Sequence, residues 1–273
     1  MIIHEEKGMR KGIENKVVVI TGASAGIGKA TAEYFAARGA KVVCLARRKV
    51  DGMESISTDV TDRDAVKVAI DAVVAKHGRI DVLVNNAGMG ISGTVEDTDP
   101  AAVHKIFELN FFGLLNVIQA VLPVMRAQGG GTIVNVSSVA GKLAIPFQSF
   151  YSATKAAVSS LTAALRAEVA PFGIKVTSVL PGDVKTDFTA AREKNSYDNP
   201  AYGERVRHAV EAMERDEQNG MSPSVIARDI YRLAASKNPP VGKVGGAKYA
   251  FLTGIAKCLP ERAVCYLLGK LYG

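Results

Sequence analysis

Short apolar runs alternate with amphipathic helical patterns along most of this chain, and no other feature limits its fold as strongly. The apolar runs have the length of buried strands and span residues 16–21, 41–46, 53–58, 80–85, 132–136 and 174–180. Helical patterns separate them, the clearest of which span residues 27–38, 62–77 and 99–128. Strands that alternate with helices form a parallel sheet with both faces covered. The sequence therefore predicts an α/β fold, a doubly wound parallel sheet with helices on both faces.

Length and composition are those of a soluble protein with one large domain: 273 residues, 48% apolar and 22% charged. Residues 1–15 carry alternating charges without the apolar centre of a signal peptide, and no uninterrupted apolar run is long enough to span a membrane. We therefore expect a cytoplasmic protein. We divide it into an N-terminal extension (1–15), a main domain (16–246) and a C-terminal helical extension (247–273).

The distribution of cysteine, histidine and charge argues against several kinds of site. The three cysteines form no C-x-x-C pair and the four histidines are scattered, so we predict neither disulfides nor a metal site. The formal net charge is +7, and residues 237–273, with six basic residues and one acidic residue, account for five of these charges. The rest of the chain has no basic stripe with aromatic platforms, so we expect no nucleic-acid partner.

The first apolar run leads directly into a glycine-rich turn at Gly22, Gly26 and Gly28, and a helical pattern follows. Glycines let the backbone approach a pyrophosphate closely, and the N-terminus of a helix supplies unpaired N–H groups and a positive dipole. The spacing G-x-x-x-G-x-G is weak evidence alone. Here the helix continues into a second buried strand, and this βαβ context indicates a phosphate-binding segment.

The end of the second strand indicates which dinucleotide the chain binds. A carboxylate there would bond the ribose 2′-hydroxyl of NAD, whereas basic residues accommodate the 2′-phosphate of NADP. The chain has Arg47 and Arg48 at this point and no carboxylate before Asp51. We therefore favour NADP(H), with Arg47 as the main phosphate partner, and keep NAD(H) as the alternative. Two exposed loop arginines that bind nothing are the simpler interpretation.

Tyr151 and Lys155 are four residues apart, so on a helix they share a face and their side chains can meet. An ammonium held about 4 Å from a phenol favours the phenolate by about 4 kcal/mol, or about three pKa units, before desolvation opposes it. Such a phenol is a usable general acid or base near neutral pH. Ser138 ends an apolar strand, at the sheet edge where ligands bind in open α/β sheets. By spacing alone, a packed tyrosine beside a solvated lysine is the commoner arrangement.

Further polar groups follow the other strands. Asp59, after the third strand, can meet an adenine edge, and residues 86–88 form a small-residue turn after the fourth strand. Asn110 lies between Leu109 and Phe111 in a long helical pattern. A buried amide needs hydrogen-bond partners, so Asn110 is either a structural hydrogen-bonding group or part of a site.

Two segments late in the chain mix apolar and charged residues. Residues 183–220 are polar and irregular, contain Phe188, Tyr197 and Tyr202, and predict a mobile flap over the sheet edge. The basic, amphipathic tail, 247–273, is predicted to pack on the body or on a sister subunit. Docking on an anionic membrane and closure over an apolar substrate are the alternatives.

The helix that carries Tyr151 has small residues that allow close helix packing: Ala153, Ala156, Ala157, Ser160, Ala163 and Ala164. Association of subunits through this helix and the Asn110 helix would give a homodimer or homotetramer. Burial of the same residues within one chain is an equally good explanation.

Taken together, the motifs resemble the single-domain short-chain dehydrogenase/reductase family. They are TGASAGIG at 21–28, NNAG at 85–88, Asn110, Ser138, the Tyr151/Lys155 pair and the PG at 181–182, in that order. The resemblance covers residues 16–186 and implies a Rossmann-type fold and an NAD(P)-dependent oxidoreductase that interconverts carbonyls and alcohols. Residues 16–246 are then the NAD(P)-binding domain.

The resemblance also implies individual roles. Tyr151 donates the proton to a ketone oxygen, and Lys155 lowers the pKa of Tyr151 and holds the nicotinamide ribose. Ser138 hydrogen-bonds the substrate oxygen, and Asn110 supports a water relay. The expected cofactor contacts, besides Tyr151 and Lys155, are Gly22, Ser24, Gly26, Ile27, Gly28, Arg47, Arg48, Asp59, Val60, Asn86, Ala87, Gly88, Pro181, Gly182, Val184 and Thr186.

Residues expected around the substrate are mostly apolar: Met89, Ile91, Leu143, Ile145, Phe147 and Phe188. They predict a hydrophobic ketone or aldehyde, or the corresponding alcohol, that is steroid-, retinoid- or lipid-like. The long tail adds a faint similarity to reductases of retinol, steroids and acyl chains. Two other functions remain as alternatives, a catalytically silent NADP(H)-binding sensor and a peripheral membrane protein whose tail is its main functional part.

Overall fold

A seven-stranded parallel sheet forms the centre of the structure, a computed structural model that describes residues 12–195 and 199–272. Its strands are β1 (Val17–Thr21), β2 (Lys41–Ala46), β3 (Glu54–Ser57), β4 (Val82–Asn85), β6 (Gly131–Val136), β7 (Ile174–Pro181) and β9 (Gly242–Gly245). Two short strands, β5 (Ile91–Ser92) and β8 (Glu193–Lys194), pair separately. Most of the N-terminal extension, Tyr197 of the predicted flap and Gly273 of the tail lie outside the described residues.

Nine α-helices accompany these strands in the described part of the chain: α1 (Gly26–Ala36), α2 (Arg63–His77), α3 (Pro100–Phe107), α4 (Leu114–Ala127), α5 (Ser149–Val169), α6 (Arg205–Gln218), α7 (Pro223–Ala235), α8 (Ala247–Cys258) and α9 (Glu261–Tyr272). The strand order is β3-β2-β1-β4-β6-β7-β9. The chain winds outward from β1 in one direction and then from β4 in the other, so a topological switch point lies between β1 and β4. The predicted doubly wound, Rossmann-type sheet is confirmed.

Side-chain alternation along each strand builds a core on both faces of the sheet. Val17 and Val19 of β1 pack with the face that α2, α4 and α5 cover, whereas Val18 and Ile20 pack with α1 and α7. Burial of each such side chain contributes about 1.5–3 kcal/mol. Because strands buried on both faces need apolar residues at every position, β1 appears in the sequence as an unbroken apolar run.

The long helix predicted for residues 99–128 is divided by a wider turn. Asp99 caps its N-terminus by accepting a hydrogen bond from the Ala101 N–H (2.8 Å), and α3 begins at Pro100 as expected. Residues 108–113 then form a π-helical turn before α4 begins. By length and composition alone, 100–127 would suit a membrane span. The side chains of Val117 and Val121 are nevertheless buried in the core of the domain.

The predicted irregular flap is partly regular. Helix α6 occupies residues 205–218, and the short strand β8 pairs with β5 in parallel. The amphipathic pattern of α6 explains the difference, because Val206, Val210 and Met213 are buried while most of its polar side chains, other than Glu217, face outward. The high density of charge in this helix made the segment resemble a loop in the sequence.

Candidate active site

The glycine turn between β1 and α1 leaves backbone N–H groups open at the sheet edge. Gly22 (φ +65°) and Gly26 (φ +55°) have left-handed backbone conformations that favour glycine. A Cβ on Gly28 would lie 2.3 Å from the carbonyl oxygen of Gly22, so no side chain fits there. Ala25, at the N-cap of α1, supplies no side-chain hydrogen bond to the helix. The first N–H groups of α1 are therefore available to an anionic ligand.

Asn86 holds the glycine turn in place from the neighbouring strand. Its Nδ2 donates hydrogen bonds to the carbonyl oxygens of Thr21 (3.1 Å) and Gly22 (3.2 Å). The Thr21 Oγ1 in turn accepts hydrogen bonds from the backbone N–H groups of Asn86 (2.9 Å) and Ala87 (3.0 Å). The side chain of Asn86 thus builds the turn, which leaves the backbone of residues 86–88 to line the cleft.

Arg47 and Asp59 lie close enough at the ends of β2 and β3 to interact electrostatically. Hydrogen bonding from the Thr61 backbone N–H (3.0 Å), assisted by the Thr61 hydroxyl and the charge of Arg47, lowers the pKa of Asp59 below its ordinary value against the effect of burial. Arg47 and Arg48 are both exposed. Val60 is buried, and its side chain packs toward Gly113.

Ser138 occupies the expected position after β6. Its Oγ accepts a hydrogen bond from the Ala140 N–H (3.1 Å) and lies 3.5 Å from the carbonyl oxygen of Pro181. The hydroxyl therefore caps the 3₁₀ turn at Val139–Gly141 and faces the end of β7. Tyr151, in the first turn of α5, is within hydrogen-bonding range of this hydroxyl, which lowers the pKa of the phenol.

Burial nevertheless raises the pKa of Tyr151 to about 12, the opposite direction from the sequence-based expectation. The Ser138 hydroxyl and, to a smaller extent, the Arg192 cation lower this pKa, while the negative charge of Glu217 raises it. The charge of Lys155 does not offset the burial of Tyr151, and desolvation lowers the pKa of Lys155 itself to about 8. Its Nζ lies 5.7 Å from the centre of the Tyr151 ring. The simple Coulomb argument from the spacing omitted this desolvation of both groups.

Asn110 lies in the π-helical turn and is 1% exposed. Its Oδ1 accepts the Met89 N–H (2.8 Å), and its Nδ2 donates to the Met89 carbonyl oxygen (2.9 Å) and to the Thr154 Oγ1 (3.2 Å). A Cβ on Gly88 would lie 3.0 Å from the Asn110 Oδ1 and 3.6 Å from the Lys155 Nζ. Asn110 is thus both a structural hydrogen-bonding group and a neighbour of the Tyr151/Lys155 pair.

A buried ion pair in the flap lies near Tyr151 and was not singled out by sequence reasoning. The Arg192 guanidinium donates from Nη2 to a Glu217 carboxylate oxygen, and Thr189 Oγ1 donates to the same carboxylate (2.7 Å). Burial raises the pKa of Glu217, and the charge of Arg192 counteracts it. The two residues are 25 positions apart, so no local spacing could have indicated the pair.

The predicted substrate-lining residues divide into three groups. Phe188 packs on Tyr151, with ring centres 5.8 Å apart, and Met89 and Ile91 belong to the same apolar cluster as Tyr151. In contrast, Ile145 and Phe147 pack with α6 in a separate cluster. Leu143 lines a cavity between the turn after Ser138 and helices α8 and α9.

The segment after β7 passes back over the glycine turn. Thr186 is the nearest neighbour of Gly26, since a Cβ on that glycine would lie 3.4 Å from the Thr186 Cβ. Val184 is buried and forms a parallel bridge with Met221. The Tyr249 ring covers Gly182, and its hydroxyl donates to Asp183. The tail therefore contacts the same sheet edge as the predicted cofactor residues, a contact that the sequence did not indicate.

Comparison with known proteins is consistent with this geometry. A family model described as short chain dehydrogenase matches residues 16–196. A 3-ketodihydrosphingosine reductase from Bacteroides thetaiotaomicron is 37% identical over 266 residues, which cover 95% of this chain and 99% of the relative. The crystal structure of a short-chain dehydrogenase from Streptomyces avermitilis has a TM-score of 0.82 at 38% identity and covers 94% of this chain and 98% of that chain.

Two further solved structures are complexes with dinucleotides. A 3-ketoacyl-(acyl-carrier-protein) reductase from Brucella melitensis, complexed with NADH, has a TM-score of 0.72 at 28% identity and covers 85% of this chain and 96% of that chain. ElxO with NADP bound has the same TM-score and identity, and covers 87% of this chain and 99% of that chain. Similar proteins therefore bind either NAD(H) or NADP(H).

Proposed function

The chain belongs to the short-chain dehydrogenase/reductase family of oxidoreductases, and on that basis we propose that it reduces a hydrophobic, lipid-like ketone or aldehyde to an alcohol with NADPH. The observation that carries this proposal is the meeting of Ser138, Tyr151 and Lys155 beside a glycine turn with an open helix N-terminus. Apolar side chains, including Phe188, pack around the phenol.

The residues of the cleft fit a dinucleotide. Gly22 and Gly28 leave space where side chains would collide, and the uncapped N-terminus of α1 suits a pyrophosphate. When bound, the dinucleotide supplies the hydride. Arg47, exposed at the end of β2 and electrostatically coupled to Asp59, supports the choice of NADP(H), because a guanidinium binds a 2′-phosphate with charge-assisted hydrogen bonds.

Tyr151 is the proposed proton donor to the substrate oxygen. A pKa of about 12 keeps its phenol protonated at neutral pH, which is the form that carbonyl reduction requires. The Ser138 hydroxyl can donate a hydrogen bond to the same oxygen. Lys155, with its pKa lowered to about 8 and next to Asn110 and Gly88, is placed to replace the proton that Tyr151 gives up.

The apolar cluster around Tyr151 and the name of the relative from Bacteroides thetaiotaomicron support a lipid-like substrate. Met89, Ile91 and Phe188 would exclude water from an apolar group next to the carbonyl. The substrate of the relative is a 3-keto compound by name. We therefore propose that long-chain 3-keto amphiphiles are reduced better than small, charged carbonyls.

We also propose a homodimer or homotetramer built on α4 and α5. The small residues Ala153, Ala156 and Ser160 of α5 are exposed in the single chain, and Phe112, just before α4, is 44% exposed. Small residues let helices approach closely, so a second copy could cover this surface. Sedimentation equilibrium would test the proposal, and a monomer at micromolar concentration would contradict it.

The decisive experiment is a measurement of NADPH and NADH oxidation with long-chain 3-keto amphiphiles, steroids, retinoid aldehydes and small polar ketones. Turnover of an apolar carbonyl should be lost in Tyr151→Phe by about 10²–10⁴-fold. Tyr34→Phe is the matched control, because the Tyr34 hydroxyl is buried without a hydrogen-bond partner among the described residues. If Tyr151→Phe and Tyr34→Phe reduce the carbonyl at equal rates, Tyr151 is not the proton donor. If no carbonyl reacts while NADPH binds, a silent NADP(H)-binding sensor replaces the proposal.

A further inference from the structure

Helices α8 and α9 expose an unusually apolar surface. Six of the twelve large apolar side chains that are exposed in residues 12–195 and 199–272 belong to these two helices, and a seventh, that of Leu259, lies between them. They are Phe251, Leu252, Ile255, Leu259, Tyr266, Leu267 and Leu271. Those of α8, Phe251, Leu252 and Ile255, follow a spacing of i, i+1 and i+4, which places them on one side of the helix. We call these seven side chains the tail surface. Such a concentration on a soluble domain marks an interaction site.

The charge around the tail surface is strongly positive. Lys248, Lys257, Arg262 and Lys270 are exposed, whereas Glu261 is the only acidic residue within α8 and α9. None of the four cations forms an ion pair with a carboxylate in the described parts of the chain. Lys248 interacts electrostatically with the Asp183 carboxylate. The charges of Lys257, Arg262 and Lys270 are available to an anionic partner.

The opposite side of the two helices is fixed to the domain. At the beginning of α8, Tyr249 covers Gly182 and donates a hydrogen bond to Asp183. At the end of α9, Tyr272 packs in the cluster of Phe147 and lies 3.5 Å from the Asp216 carboxylate. The helices are attached to the domain near both ends of the tail. The tail surface is therefore already held in place in the single chain.

Helices α8 and α9 also lie next to the segment that follows Ser138. A cavity of about 210 Å³ separates α8 and α9 from the turn after Ser138, and Lys142, Leu143 and Lys257 line it. Burial and, to a smaller extent, the charge of Lys257 lower the pKa of Lys142, so two cations meet at this cavity. Leu259 is the member of the tail surface that lines this cavity, so an apolar molecule bound at Leu259 would lie next to Lys142 and Leu143.

We propose that the tail surface docks on the anionic surface of a lipid bilayer. The exposed apolar side chains would enter the acyl boundary while these three cations contact lipid phosphates, as in interfacial amphipathic helices. A second copy of the chain is a poorer occupant, because a symmetric interface would place the same cations against each other. Docking would place the proposed reductase at a membrane surface. This proposal does not depend on which carbonyl the enzyme reduces.

Co-sedimentation of the full chain with vesicles tests this proposal. The protein should bind vesicles of phosphatidylcholine with phosphatidylglycerol, should bind phosphatidylcholine alone more weakly, and should dissociate as salt is added. Phe251→Ser combined with Leu267→Ser should reduce partitioning about tenfold or more. Lys257→Gln combined with Lys270→Gln should remove most of the preference for anionic vesicles. Val68→Ser is the matched control, since Val68 on α2 is 68% exposed, as is Phe251.

Three results would overturn the proposal. The protein could remain in the supernatant with every vesicle, or bind both vesicle types equally and independently of salt. The Phe251→Ser and Leu267→Ser variant could instead change the oligomeric state without changing vesicle binding, which would identify a second copy as the occupant. Turnover of a water-soluble ketone by the same variants separates the two proposals, because it should remain unchanged while vesicle binding is lost.

Discussion

The Lys155 ammonium donates a hydrogen bond from Nζ to the backbone carbonyl oxygen of Val136, over 3.0 Å. Val136 is the last residue of β6, so this contact fixes the lysine of α5 to the end of the strand that precedes Ser138. Burial lowers the pKa of Lys155 to about 8, and a single backbone acceptor does not compensate for the water that the ammonium loses.

The lowered pKa of Lys155 makes the stability of the protein depend on pH. Between about 8 and the ordinary value of 10.5, the unfolded chain binds more protons at this residue than the folded chain. The free energy of unfolding should therefore rise with pH in this window, by up to about 1 kcal/mol per pH unit. Urea unfolding should show this contribution in the wild type and its loss in Lys155→Met. Lys67→Met, at an exposed position, should keep it, and a Lys155→Met profile parallel to the wild type would contradict the prediction.

Replacement of Gly28 by alanine should prevent dinucleotide binding. The new Cβ would lie 2.3 Å from the Gly22 carbonyl oxygen and 2.4 Å from the Asn86 Nδ2, so the turn must open. We expect a loss of about 1–3 kcal/mol in unfolding free energy and at least a tenfold weaker affinity for NADPH, measured by fluorescence titration. Gly254→Ala is the control, because nothing lies within 4 Å of its Cβ position in α8. Unchanged NADPH affinity in Gly28→Ala would exclude the glycine turn as the phosphate site.

Arg47 should determine the preference for the phosphorylated dinucleotide. Arg47→Gln removes one charge-assisted contact, worth about 1.5–3 kcal/mol, and should raise the dissociation constant of NADPH by about 10–150-fold. The constant for NADH should change little, since it has no 2′-phosphate. Arg207→Gln, at an exposed position in α6, is the matched control. Equal effects of Arg47→Gln on both dinucleotides would refute the assignment.

Glu217→Gln should lower the pKa of Tyr151. The carboxylate of Glu217 disfavours a phenolate nearby, and its removal leaves the favourable charge of Arg192 in place. The alkaline limb of the pH–rate profile should therefore move to lower pH, and the tyrosinate absorbance, measured as the difference from Tyr151→Phe, should move with it. Loss of the buried partner of Arg192 should also destabilise the fold by about 3–5 kcal/mol. Glu193→Gln is the control, and a decrease in stability without any shift of the profile would indicate a purely structural pair.

Sequence reasoning predicted the parts of this protein that depend on local patterns. The apolar run of β1 and the glycines after it indicate strand, turn and helix without any knowledge of the rest of the chain. The sequence could not indicate that Arg192 meets Glu217 or that Tyr249 covers Gly182, because these contacts depend on how distant segments return to the sheet edge. The pKa of Tyr151 is raised, although the sequence argument predicted that it would be lowered, because burial is a property of the assembled fold.

The π-helical turn at Glu108–Gly113 means that the number of residues in this segment, as well as their identity, determines the geometry of the site. An α-helix advances about 100° per residue, so removal of one residue here would allow regular α-helical hydrogen bonding and would rotate Asn110 and α4 relative to each other by about that angle. Asn110 would then leave Met89, or the apolar face of α4 would leave the core. We therefore expect single-residue deletions in this segment to be more harmful than most substitutions.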